Sequence, residues 1–192
     1  MKIRRKRLLW TTVSIITVIC FLVLFALVKA NFSPGEPKGI CSVKALLLEK
    51  SAFPLGTTMS SSENFEDFVV ATVSHTFGNL DRGFDVNQAV EYYNASFMAA
   101  QVYAHNSHIF KRTKYNDSWQ EPNEMTFSSQ TSDQYRFACT NDIVVGHTCI
   151  LIARYGRYFV LVSATLSEEF TVEDLEPLLQ EIDSRMSPCI DQ

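Results

Sequence analysis

The segment ACTNDIVVGHTC runs from Ala138 to Cys149 and holds Cys139, His147 and Cys149. Thiolate and imidazole are ligands for zinc, and paired thiols carry out disulfide exchange, so three chemistries compete for these residues. A structural zinc site needs a fourth ligand and normally shows Cys-x-x-Cys pairs, which this sequence does not contain. A redox centre would normally present the same spacing. A covalent clip between neighbouring strands is the remaining reading, and it requires an oxidising compartment. Cys41 and Cys189 lie near the two ends of the same region. Four cysteines allow three pairings, of which Cys139–Cys149 together with Cys41–Cys189 is expected here. Neither a metal nor an organic cofactor is expected.

Other reactive side chains are scattered. Of the four histidines, His75, His105, His108 and His147, only His105 and His108 are spaced to share a helix face. Without a third ligand they read as residues suited to a helix C-terminus, where the macrodipole favours them. The sequence has no Gly-x-Ser-x-Gly elbow, P-loop, dinucleotide fingerprint or His-Glu-x-x-His, so catalytic residues stay unassigned. The acid pairs Glu168-Glu169 and Glu173-Asp174 are placed to lead into a helix. The stretch KRTKYNDSW sets Tyr115 and Trp119 on a polar loop, which makes them candidates for contact with a partner. Asn31, Asn94 and Asn116 each begin an Asn-x-Ser sequon.

These side chains depend on the elements that carry them and on the side of a membrane where those elements sit. Residues 1–7 form a basic tail containing Lys2, Arg4, Arg5, Lys6 and Arg7, and the run 8–28 that follows is uncharged. About 20 apolar residues cross a ~30 Å hydrocarbon core as a helix. Trp10 would lie at the headgroup level, and the basic flank would stay cytoplasmic. Cleavage after Val28-Lys29-Ala30 competes with this reading, but the run exceeds a signal-peptide core of about 7–15 residues. A lipoprotein start at Cys20 fails because bulky Ile19 precedes it. Residues 29–40, rich in proline and glycine, are expected as a linker, and 41–192 as one exported domain. All 21 acids but only 11 of the 17 cations follow residue 29, so the exported part carries 11 − 21 = −10. That charge argues against nucleic acid as a partner, and none is expected.

Within the domain, 43–48 reads as a short helix or strand and 60–64 as loop. FVVATVSHTF, 68–77, reads as a strand ending at the turn signal Gly78-Asn79. Asp85 is placed as an N-cap for a helix over 86–105, whose face is Val86, Val90, Tyr93, Phe97, Ala100 and Ala104. Strands are expected at 125–129 and 134–139. HTCILIA and RYFVLVSA form a hairpin of interior strands around Tyr155-Gly156. A last helix is expected to become regular near Glu176, with Pro177 in its first turn.

The resulting class is α+β: a transmembrane helix, then one domain of mainly antiparallel sheet with two packed helices. The closing order, RYGRYFVLVSATLS followed by EIDSRM, resembles the exported sensor-type domains of bacterial lipoproteins and membrane kinases. That resemblance implies a sensor-like binding domain and assigns no residue a role. The function expected is therefore a single-pass, membrane-anchored binding module facing outside the cell. Its partner would be an extracytoplasmic protein or an envelope ligand. An exported hydrolase with dispersed catalytic residues and a structural envelope protein are the alternatives.

Overall fold

The computed structural model describes residues 35, 37–64, 69–111, 119–123, 125–142 and 146–190. The basic tail, the apolar run 8–28, most of the linker, Tyr115, Asn31 and Asn116 lie outside them. Among the described residues no helix is long and apolar enough to cross a membrane. Residues 36–192 make one compact unit, separate from 1–35.

The unit is an α+β fold of six strands and two helices. The strands are β1 (Thr58–Asn64), β2 (Val69–Asn79), β3 (Phe84–Tyr93), β4 (Gln134–Asp142), β5 (Gly146–Tyr155) and β6 (Tyr158–Thr165). Every pairing is antiparallel, in the spatial order β1-β2-β3-β6-β5-β4. The helices are α1 (Ser96–Asn106) and α2 (Val172–Met186).

Both faces of the sheet are covered. Leu151, Ala153 and Tyr155 share a core with Leu175, Leu179 and Ile182 of α2 and with the segment Cys41–Phe53. Ile150 and Ile152, one pleat away, pack with Ala99 of α1 and with Phe110. The alternation of side chains along one strand therefore feeds two cores, and this is why the stretch Cys149–Ala153 is apolar without a break. Its hairpin partner follows immediately. Tyr155 pairs with Tyr158 across Gly156 and Arg157, and Gly156 has φ +59°, a left-handed conformation that favours glycine.

Residues 84–93 are strand, so the helix expected from Asp85 onward begins only at Ser96. The apolar steps of three and four from Val86 were coincidental. Val86, Gln88, Val90 and Tyr92 are buried in strict alternation, with β2 on one side and β6 on the other. Gln88 hides the pattern because a buried amide reads as polar. It is fully buried because its Oε1 accepts from Leu48 N at 2.8 Å and its Nε2 donates to Leu46 O at 3.4 Å. Asp85 is an exposed strand residue and caps nothing.

Four further expectations change. Residues 60–64, expected as loop, belong to β1, an edge strand whose side chains over 58–63 are exposed and so give no alternation. Residues 43–48 form neither helix nor strand but a run of turns, with Ala45 N and Leu46 N bonded to Ser42 O. Residues 125–129, expected as a strand, pair with no strand. Thr126 instead bonds through N and Oγ1 to the Glu176 carboxylate of α2. Finally, α2 starts at Val172, earlier than Glu176, because Thr171 and Asp174 form a capping box, with Thr171 N donating to Asp174 Oδ2 at 2.9 Å. Glu173 and Asp174 therefore lie inside the first turn, and Pro177 inside the helix.

Candidate functional site

The four cysteines pair as Cys139–Cys149 and Cys41–Cys189. Cys139 and Cys149 face each other across β4 and β5 with Cα atoms 4.0 Å apart. Cys139 spends its own N–H and C=O on Gln120, at 2.8 and 2.9 Å. The two cysteines are therefore a non-hydrogen-bonded pair, the position where antiparallel strands approach most closely. His147 lies on the same face, and its ring comes within 4.8 Å of both sulfurs. With the sulfurs joined to each other there is no thiolate to offer a metal, and the trio stands as a clip beside an exposed imidazole.

The other histidines are separated from it. His75 donates from Nδ1 to Leu48 O at 3.1 Å and meets Phe77 edge-on, so it helps to hold the N-terminal segment against the sheet. His105 in the last turn of α1 and His108 in the turn that follows it line one shallow depression of about 200 Å³ with Asn106 and Ile109. A larger apolar depression of about 500 Å³ runs along α1 between Tyr93, Phe97, Met98 and Val102.

The candidate site lies along the outer margin of β4. Trp119 is half-buried on the α1 side of the sheet, with its ring edge-on to Phe110 at 5.5 Å. Arg136 lies on the same side, its guanidinium 4.7 Å from the centre of the Phe110 ring. Gln120 crosses the margin through its two bonds to Cys139. Met125 and Phe127 then pack against the core on the α2 side. Residues 119–123 and 125–127 lie along the strand and leave a cleft of about 280 Å³ beside it, lined by Glu121, Pro122, Met125, Phe127, Tyr135, Arg136 and Phe137. Tyr135 closes one end, edge-on to Phe127 at 5.9 Å with its hydroxyl 3.3 Å from Ser128 Oγ.

One polar centre could not be found from the sequence. Asp183, on the buried side of α2, accepts from Ser129 Oγ, from Tyr155 OH at 3.0 Å and from Gln130 N at 3.2 Å. Burial, then the Asp183 charge and the bond to it, push the Tyr155 phenol well above its usual range. Asp183 is spaced like a surface residue within EIDSRM, and nothing local marks it as buried. This arrangement anchors the 129–131 segment to the helix. No protein-family model matches the chain, and comparison with curated proteins returns no match.

Proposed function

We propose that the chain is a single-pass membrane protein whose domain faces an oxidising exterior and binds a partner there. The observation that carries this reading is that the two bridges consume every cysteine beyond the apolar run, as expected where thiols are not kept reduced. The charge distribution supports the same orientation. Five cations stand ahead of the uncharged run 8–28, and −10 lies beyond residue 29. The run anchors the domain close to the bilayer, and the bridges keep it folded away from cytosolic chaperones.

We place binding at Tyr115 and Trp119, the second of which lies where the chain meets the β4 margin through Gln120. Half-buried Trp119 and the exposed Tyr135 that lines the cleft are aromatic side chains of the kind that make up a recognition patch. The tests use the full chain in its own membrane. Protease added to intact cells should remove the domain, and alkylation without reductant should find no free thiol among Cys41, Cys139, Cys149 and Cys189. A protected domain with four free thiols would overturn the orientation. For the patch, cross-linking should recover a partner with the native chain and lose it with Trp119→Ala plus Tyr115→Ala at unchanged thermal stability. Equal recovery by both would remove these two residues from the site.

A further inference from the structure

We propose that the open margin of β4 at Tyr135–Phe137 receives an extended peptide from a partner protein, which adds antiparallel to β4 as a seventh strand. This deepens the reading of the domain as an exported binding module and rests on it. The backbone geometry carries the argument. Cys139 turns its N–H and C=O away from β5 toward Gln120. By the alternation of an antiparallel ladder, Gln134, Arg136 and Ala138 bond to β5, whereas Tyr135 and Phe137 direct their backbone groups outward like Cys139.

The chain itself begins a seventh strand and then abandons it. Extending the register of Gln120 opposite Cys139 brings Pro122 opposite Phe137. Proline has no N–H to give to the Phe137 carbonyl, and the chain turns there, with Met125 N bonding back to Pro122 O at 3.4 Å. Among the described residues nothing pairs with the outward N–H and C=O of Tyr135 and Phe137. Tyr135 and Phe137 both line the cleft of about 280 Å³.

The chemistry of the occupant follows from the lining. Backbone groups spaced two residues apart call for an extended chain, as in strand addition at a sheet edge. Met125, Phe127 and Phe137 offer an apolar wall to every second side chain of that strand. Glu121 and Arg136 both line the cleft and offset each other, so the −10 charge of the exported region is what favours a cationic peptide over an acidic one. The opposite margin of the sheet, β1, presents TMSSSE over 58–63, exposed and polar apart from Met59, and serves as the internal control.

The experiment uses the full chain in detergent micelles and two fluorescent heptapeptides, one alternating valine with lysine and the other valine with glutamate. Anisotropy should show tighter binding of the lysine peptide. N-methylation of its alternate amides should weaken it at least tenfold in the register that faces β4. Amide exchange should slow in 134–139 and stay unchanged in 58–64. Pro122→Val restores an N–H opposite Phe137, lets the chain's own strand extend, and should reduce peptide affinity about tenfold with the fold intact. Tyr135→Pro deletes an outward N–H and should do the same. Equal binding of methylated and unmethylated peptides, protection at 58–64 instead, or no binding by either peptide would each overturn the proposal. A domain that is outside the cell yet ignores both peptides overturns this assignment alone. A cytosolic domain overturns the reading beneath it.

Discussion

Asp183 and Tyr155 show how much one buried carboxylate can organise. Asp183 is 8% exposed, and its side chain collects a hydroxyl and an amide from 129–130 and a phenol from β5; its own carbonyl accepts from Thr131 Oγ1 at 3.3 Å. Loop, helix and hairpin meet at one residue. The consequence is readable in pH, because the Tyr155 phenol is raised by burial and by Asp183. In the unfolded chain that phenol loses its proton near 10.0, whereas in the folded protein it keeps it. Above pH 10 the unfolded state therefore binds fewer protons, and stability falls as pH climbs from there toward the folded value; below that window the contribution is complete. Tyr155→Phe should flatten this alkaline decline, while costing about 1–2 kcal/mol at pH 7 because Asp183 loses a donor. Urea unfolding at pH 7, 10 and 11 measures both effects. Parallel pH slopes for the two proteins would show that Tyr155 is not the group responsible.

The elements differ in how much of their stability is local, and this decides which of them can be read from sequence. The start of α2 is local: Thr171 and Asp174 satisfy each other's neighbouring N–H groups within one turn. Thr171→Ala should cost about 1 kcal/mol, and adding Asp174→Ala should cost much less than its single effect, since the box is already broken. Chemical denaturation of the three variants and the native protein measures this coupling, and full additivity would mean the box is not a unit. The β5–β6 hairpin is equally local, and it was legible for that reason. Elements held by distant partners were not. The alternation of β3 runs through Gln88, whose burial depends on the backbone of Leu46 and Leu48 some forty positions away. Residues 125–129 resemble a strand in composition, yet their bonds go to Glu176 on α2. The same division applies to the site. The cysteine pairs were readable from their even number and spacing, whereas the cleft depends on Pro122, Met125 and Phe127 lying beside Tyr135 and Phe137. No window of sequence contains that meeting.

At the scale of the molecule, the two bridges act on different parts of the unfolded chain. Cys139–Cys149 closes a separation of 10 residues and Cys41–Cys189 one of 148. If a bridge stabilises chiefly by removing freedom from the unfolded state, the short loop contributes about 3 kcal/mol and the long one about 5 kcal/mol. The long bridge also fixes an irregular segment. Residues 41–53 have no ladder of their own and are held by side chains: Gln88 and His75 at Leu48, Arg185 at the Leu47 carbonyl, and the Tyr158 hydroxyl on Cys41 O at 2.7 Å. Those clamps survive if the bridge is removed, so the segment should stay docked in the native state, and most of the loss should appear as a freer unfolded chain. Replacing Cys41 and Cys189 by alanine should then destabilise the protein by roughly 2 kcal/mol more than replacing Cys139 and Cys149. All four sulfurs are buried, so the cavities left by the two double variants are similar and largely cancel in the comparison. Denaturant unfolding gives the difference directly, and amide exchange of 42–53 shows whether the clamps hold. If the short clip proves the costlier to remove, unfolded-chain freedom is not what the bridges control, and the β4 margin depends on Cys139–Cys149 for its native geometry instead.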